Sequence, residues 1–454
     1  MITIYSNLHL EPEKLYIFDV ILNEFLGLEY QVELKAEFEG ITIKLANNSE
    51  LVLSSSGWDS FDDLYLSNES LPTVNYTKYQ FTPESDIPIL YGSDILHISE
   101  ARVVCGQDIF AGCFFILSRM EEVIIKERDN HDRFPAIASI AYQNGFLERP
   151  VVDEYTELLW NMLVYLDSTL TRKKRHSTTF VTCDVDWPYD PRKHSFIGTA
   201  KSSAAAIFKR KNVKSALIKW MNYFGTKLGF DVQDEYFNRI KWMMDVNEKL
   251  GNKIAFYFIT EMTSKLDSDF DFDSIQIRSL LRTITARGHE IGIHPGYNCY
   301  VDPANFKKSV DTLKRILEEE NHVQPIIGGR MHYLRWDAKI TPSLWEENEL
   351  SYDSTLSFAD KAGFRCGTSH EFKMYDLLNR KTLNLKQRPL INMECTIIED
   401  KYEGFGYSKM SIDRFNLFRG ITRKYGGTYT LLWHNTSFKK KRDEEFYLSL
   451  ISQK

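Results

Sequence analysis

Four short apolar segments of this chain each run out into side chains that carry chemistry, and stretches of helical periodicity separate them. Thr179-Phe180-Val181 leads into Thr182-Cys183-Asp184-Val185-Asp186, and Gly288-His289-Glu290-Ile291-Gly292-Ile293 leads into His294-Pro295-Gly296-Tyr297-Asn298. Pro325-Ile326-Ile327-Gly328-Gly329 leads into Arg330-Met331-His332-Tyr333, and Thr428-Tyr429-Thr430-Leu431-Leu432-Trp433 leads into His434-Asn435. Elsewhere in this region apolar residues recur every three or four positions from Phe237 to Leu250, Ile275 to Ala286, Phe306 to Glu320 and Pro342 to Asn348, the spacing of one helix face. Strand then helix, repeated, predicts an α/β fold built on a parallel sheet or barrel. In such folds the loops after the strands form the active face, so acids, histidines and an arginine at successive strand ends converge on one mouth.

Alternation along an extended chain sends Asp184 and Asp186 to the same face, with Val185 opposite. Two carboxylates so placed can serve one site, one holding a metal and the other moving a proton. The same residues are also ordinary turn and cap formers, so the pair needs the other strand ends before it means anything. Cys183 falls on the face opposite the carboxylates and reads as a small buried hydrophobe. His289 reads as a packed residue, and His176, His194, His322 and His370 read as loop residues.

From Thr178 to about Phe438 the chain resembles the polysaccharide deacetylase (NodB homology) family of carbohydrate esterases. Asp184-Val185-Asp186 is similar to its first motif, Gly288 to His294 to its second, Gly329-Arg330 to its third, Tyr352-Asp353-Ser354-Thr355-Leu356 to its fourth, and Leu432-Trp433-His434 to its last. The resemblance implies a distorted (β/α) barrel of the NodB type and a hydrolase that removes acetyl groups, by de-N-acetylation, from a carbohydrate or glycan precursor. It also implies a divalent metal, usually zinc, that polarises the acetyl carbonyl and activates a water. Carried over by position, Asp184 is the general base, Asp186 and His294 are metal ligands, Arg330 orients the base, and His434 is the general acid.

One position departs from the family. A second histidine is expected four residues after His294, and Asn298 stands there instead. A neutral amide oxygen is a poorer zinc ligand than imidazole and suits harder cations. The site therefore takes another metal, holds zinc loosely, or recruits a substitute. His332, two residues after Arg330 and on the same face of an extended segment, is the candidate substitute. Two rival readings follow from the incomplete set: a non-catalytic glycan-binding module with a degenerate metal site, where Trp187, Tyr297, Tyr333 and Trp433 stack on sugars, or a small-molecule amidohydrolase. Asp353 is expected either in the cleft or in a capping role.

A chain of 454 residues exceeds the roughly 250 of one barrel. The expected division is an N-terminal α+β accessory domain at 1–172, holding a helix from Pro12 to Leu26 and strands around Val32, Ile43 and Val52, and a barrel at 173–454. Residues 187–231 are too long for an ordinary connection and are expected to be a lid or substrate-binding insertion. Met1 to Ser6 lacks a basic start, no apolar run reaches the roughly 20 residues of a membrane span, and six scattered cysteines show no disulfide spacing. A cytoplasmic enzyme is the expectation. The net charge of -7 and the lack of a basic, aromatic-interleaved face argue against nucleic acid as a partner.

Overall fold

Alternation in the first strand, Ile2–Ser6, buries Ile2, Ile4 and Ser6 on one face, as a half-covered strand requires. In the computed structural model every residue is described except 1, 37, 63, 191–195, 209–210, 212, 228–233, 323, 325–326 and 453–454. The chain forms two units, one made of Met1–Thr178, Leu334–Gly404 and Asn416–Thr430, the other of Thr179–Tyr333, Phe405–Phe415 and Leu431–Lys454.

The first unit holds a six-stranded mixed sheet in the order Tyr30–Leu34, Ile2–Ser6, Ile41–Lys44, Glu50–Leu53, Arg102–Gln107, Gly92–Ile98. The helix Ile109–Leu117 is apolar all round and buried at every position, as such a composition demands. The helix expected from Pro12 to Leu26 begins at Glu11, runs to Phe18 and continues as a π-helix over Asp19–Phe25. The expected cut at 172/173 does not follow these units, because residues far beyond it supply partners to the N-terminal ones. Arg365 donates to Glu122, Thr368 Oγ1 donates to Asp153, and Arg380 donates to Glu13.

Asp108 caps Ile109–Leu117 by accepting from Ala111 N–H, and its other oxygen accepts from Gly57 N–H. Burial raises its carboxyl to about 7, against the backbone N–H groups and Lys14, which lower it. A folded pKa above the unfolded one means the folded state binds the proton more tightly, so this contribution to stability is complete below about 4 and is lost as pH rises through about 7. Asp108→Asn keeps a capping oxygen but cannot titrate. Urea denaturation between pH 4 and 7 should therefore show the variant losing less stability with rising pH than the wild type, by up to about 1.4 kcal/mol per pH unit. Parallel curves would remove Asp108 from the balance.

In the second unit β1 (Thr178–Val185) is followed by α1 (Phe196–Phe208), α2 (Val213–Lys227), α3 (Glu235–Glu248), β2 (Ile254–Phe258), α4 (Ile275–Ala286), β3 (Glu290–Ile293), α5 (Pro303–Glu319) and β4 (Gly328–Gly329). The strands pair in parallel, β1 with β2 at Cys183–Phe256, β2 with β3 at Phe258–Ile293, and β3 with β4 at Ile293–Gly329. All five residues of β2 are buried, the continuous apolar run typical of a strand covered on both faces. The end of β5 (Thr428–Leu432) runs beside β1, where Trp433 N–H donates to Thr182 O at 3.0 Å. This is the α/β class read from the sequence; among the described residues no pairing closes the sheet into a ring.

The expected helices recur within a few residues. Ser274 caps α4 by accepting from Ile277 N–H, and Asp302 caps α5 by accepting from Asn305 N–H, with Pro303 at the first helical position, where its missing N–H costs nothing. The expected insertion leaves after β1 and returns at α3. Its base is pinched where Asp234, the cap of α3, also accepts from Asp190 N–H, and where Tyr189 stacks on Phe237 at 5.6 Å. Residues 191–195, 209–210, 212 and 228–231 of that insertion, with His194, lie outside the described residues.

Candidate metal centre

The parallel register sets the site. Asp184 and Asp186 come from the end of β1, His294 follows β3, and Arg330 and His332 follow β4. Gly329 permits that last approach, since a Cβ there would lie 1.9 Å from Ile293 O. With glycine in place, Arg330 N–H donates to Ile293 O and His332 N–H donates to Pro295 O. Tyr333 then turns the chain with φ 61°, and Leu334 follows at 57°. Two consecutive left-handed residues that are not glycine cost on the order of 1–2 kcal/mol each, and such strain is often held at a working site.

Arg330 is fully buried and donates through Nη1 to Asp184 Oδ1 at 2.7 Å and to Thr182 Oγ1 at 3.0 Å. A buried guanidinium hydrogen-bonded to a buried carboxylate fixes the direction of the acid. The expected pairing of Arg330 with Asp184 is therefore present.

The two imidazoles are oriented by their Nδ1 atoms. His294 Nδ1 lies 2.6 Å from Arg330 O, which can only accept, so Nδ1 donates and Nε2 is the nitrogen turned toward Asp186. His332 Nδ1 lies 2.6 Å from Asp267 Oδ1, with the same consequence. Both Nε2 atoms face Asp186 Oδ1, at 3.3 Å from His294 and 3.7 Å from His332. One ligand atom from each of Asp186, His294 and His332 lies within 4.8 Å of the others. His434 Nε2 stands 4.0 Å from Asp186 Oδ2.

Asp267 is a residue the sequence reading missed. Its side chain is fully buried and accepts from five donors: Thr263 N–H, Thr263 Oγ1, Ser264 N–H and Tyr297 N–H besides His332. Burial pushes its carboxyl up, but His332 and the backbone N–H groups outweigh that and hold it at about 2. A carboxylate behind a ligating histidine fixes its tautomer and ring orientation.

The donor set fits a cation. Asp186 Oδ1 is buried and no hydrogen bond satisfies it. Burial raises this carboxyl, yet His294, His434 and His332 outweigh burial and hold it well below the usual range. Burial likewise lowers His294, and Asp184 and Asp186 raise it above its ordinary value. With neutral imidazoles, three carboxylates face one guanidinium, an excess of negative charge that a divalent ion balances. Two imidazole nitrogens and a carboxylate form a donor set of the kind found in catalytic zinc sites.

Asn298, the position at which the family pattern has a second histidine, is engaged with Thr263. It is exposed, donates its amide to Thr263 O at 2.7 Å and takes Thr263 Oγ1 on its own N–H at 3.0 Å. Trp433, expected in the cleft, is fully buried among Phe415, Phe438, Phe446 and Tyr447. Tyr297 and Tyr333 are half-buried and pack edge to face at 5.3 Å. Asp353 accepts from Thr355 N–H and Trp336 Nε1–H, and no helix begins at it. His289 is buried between Ile254 N–H and Glu248, while His370, expected in a loop, is largely buried and bonds to Tyr425 O.

Residues 2–167 match a family of unknown function, DUF7033. No curated protein matches the chain in sequence. Among solved structures, the chain is similar to a polysaccharide deacetylase from Mycobacterium smegmatis at 15% identity and TM-score 0.37, over 62% of this chain and 86% of that one. A polysaccharide deacetylase from Pseudomonas aeruginosa PAO1 overlays at 13% identity and TM-score 0.36, over 61% and 84%. Puue allantoinase overlays at 12% identity and TM-score 0.34, over 61% and 83%.

Proposed function

We propose that the chain is a metal-dependent hydrolase that removes acetyl groups from the amide nitrogens of a carbohydrate or glycan precursor. The observation that carries this reading is Asp186 Oδ1, buried, without a hydrogen bond, and faced by the Nε2 atoms of His294 and His332. Asp186, His294 and His332 would hold the ion. When bound, a divalent ion of this kind polarises a carbonyl and lowers the pKa of water.

The remaining steps belong to the chain's own side chains. Asp184, oriented by Arg330, takes the proton from the attacking water. His434, 4.0 Å from Asp186 Oδ2, gives a proton to the departing nitrogen, a task suited to an imidazole. Tyr297 and Tyr333 offer aromatic faces to a sugar ring.

Acetate release from N-acetylated oligosaccharides by the zinc-loaded protein tests the proposal, with Asp184→Asn as the control. Turnover should fall at least about 100-fold in that variant, the lower range of a general base's contribution. Release that survives the substitution, or none from any N-acetylated glycan with stoichiometric metal bound, would refute it.

A further inference from the structure

The excursion between β1 and α3 has a composition unlike the rest of the chain. Residues 196–227 hold seven lysines and arginines and no aspartate or glutamate, within a chain whose net charge is -7. Its two helices are packed against each other through small residues. Thr199, Ser203 and Ala206 of α1 and Ala216 of α2 are buried, and Lys219 Nζ on α2 donates to Ser202 O on α1 at 2.9 Å.

The large apolar side chains point the other way. Phe208 is 82% exposed and Met221 70%, and Phe196, Ile197, Leu217 and Phe224 are exposed as well. On α2, Val213, Leu217, Met221 and Phe224 follow spacings of four, four and three, which place them on one stripe. Single exposed apolar residues are ordinary, but a contiguous stripe on two adjacent helices is a surface made to be covered. Trp220 adds an aromatic cluster beside it, in ring contact with Phe196, Tyr223 and Phe224.

Charge says what covers it. An apolar stripe in a segment whose charged residues are all cations suits an anionic bilayer surface, where the side chains enter the acyl boundary and the lysines meet the headgroups. Among the described residues no helix is long and apolar enough to cross a membrane; the contact suited to such a stripe is interfacial. We propose that this helical hairpin docks the protein on a lipid surface bearing anionic headgroups. The inference does not depend on the chemistry at Asp184.

Co-sedimentation of the full chain with vesicles tests it, using phosphatidylcholine alone and phosphatidylcholine mixed with phosphatidylglycerol. The wild type should bind the mixed vesicles at least about tenfold more tightly than the neutral ones, and salt should weaken the binding. The variant Leu217→Ser, Met221→Ser, Phe224→Ser should lose vesicle binding while keeping the wild-type melting temperature. Lys201→Glu with Lys211→Glu and Lys214→Glu should lose the preference for anionic lipid. Failure to sediment with either vesicle, equal binding to both that survives the lysine substitutions, or self-association that the serine variant abolishes without any vesicle binding, would overturn the proposal.

Discussion

His332→Ala is expected to leave the purified protein with little bound metal and with acetate release at background, and Asp186→Ala and His294→Ala should match it. Each removes one of three ligand atoms that lie within 4.8 Å of one another, and a site of two remaining donors has neither the affinity nor the geometry of a catalytic zinc centre. Asn298→Ala should differ from the wild type by no more than about twofold, since its exposed amide is engaged with Thr263 and surface substitutions of this kind are usually worth under about 0.5 kcal/mol. Asp267→Asn separates orientation from ligation. It leaves all three ligands in place but replaces the carboxylate behind His332, and loss of such a partner typically costs roughly 10- to 100-fold in metal affinity or activity. Elemental analysis of the five variants beside the wild type decides the matter. Metal retained by His332→Ala and lost by Asn298→Ala would restore the arrangement that the family pattern implies.

That contrast also marks how far the sequence could be read. Asp184, Asp186, His294 and Arg330 were legible because each ends an apolar run that a parallel sheet must bury, and because alternation assigns faces within a strand. His332 was legible as a candidate through its two-residue offset from Arg330, which the left-handed turn at Tyr333 then converts into a position facing Asp186. Asp267 was not. It lies in a loop where Asp267, Asp269, Asp271 and Asp273 alternate, and nothing local separates the one that turns inward to five donors from those that face water. Trp433 was misplaced for a related reason: an aromatic residue at a strand end has the same sequence pattern whether it lines a cleft or, as here, fills a core.

The division of the chain was harder still. Residues from Leu334 to Gly404 carry short strands and loops whose tertiary partners lie more than 200 positions earlier, as with Arg365 and Glu122. Periodicity reports which face of an element is buried, not against which distant segment it is buried. The buried ion pairs that hold this unit together leave no periodic trace, and a cut placed where one helix ends and a basic stretch begins could not detect them.

The same ion pairs supply the largest expected effect on stability. Glu122 Oε1 accepts from Arg119 Nε and from Arg365 Nε, both at 2.9 Å, and Oε2 accepts from Arg365 Nη2 at 2.6 Å. The side chains of Arg119, Glu122 and Arg365 are at most 2% exposed. Burial would raise the Glu122 carboxyl, but Arg365 and Arg119 outweigh it and hold the group below its ordinary value. Glu121 pairs with Arg119, so the cluster carries two charges of each sign. Removing Glu122 leaves an uncompensated buried cation, which costs roughly 3–5 kcal/mol out of a total stability of about 5–15 kcal/mol. Glu122→Leu should accordingly lower the urea midpoint substantially. The double variant Glu122→Leu, Arg365→Met should recover much of the loss, because a charge pair replaced by apolar groups of similar volume is often neutral or better and the new methionine would lie against Trp336 and Phe358, where Arg365 now sits at 5.9 and 5.1 Å from the ring centres. Recovery should remain partial, since Ser357 O loses the Arg365 Nη1 donor at 2.8 Å. A single variant as stable as the wild type would show that the cluster is solvated in solution and that the two segments are held together by apolar packing alone.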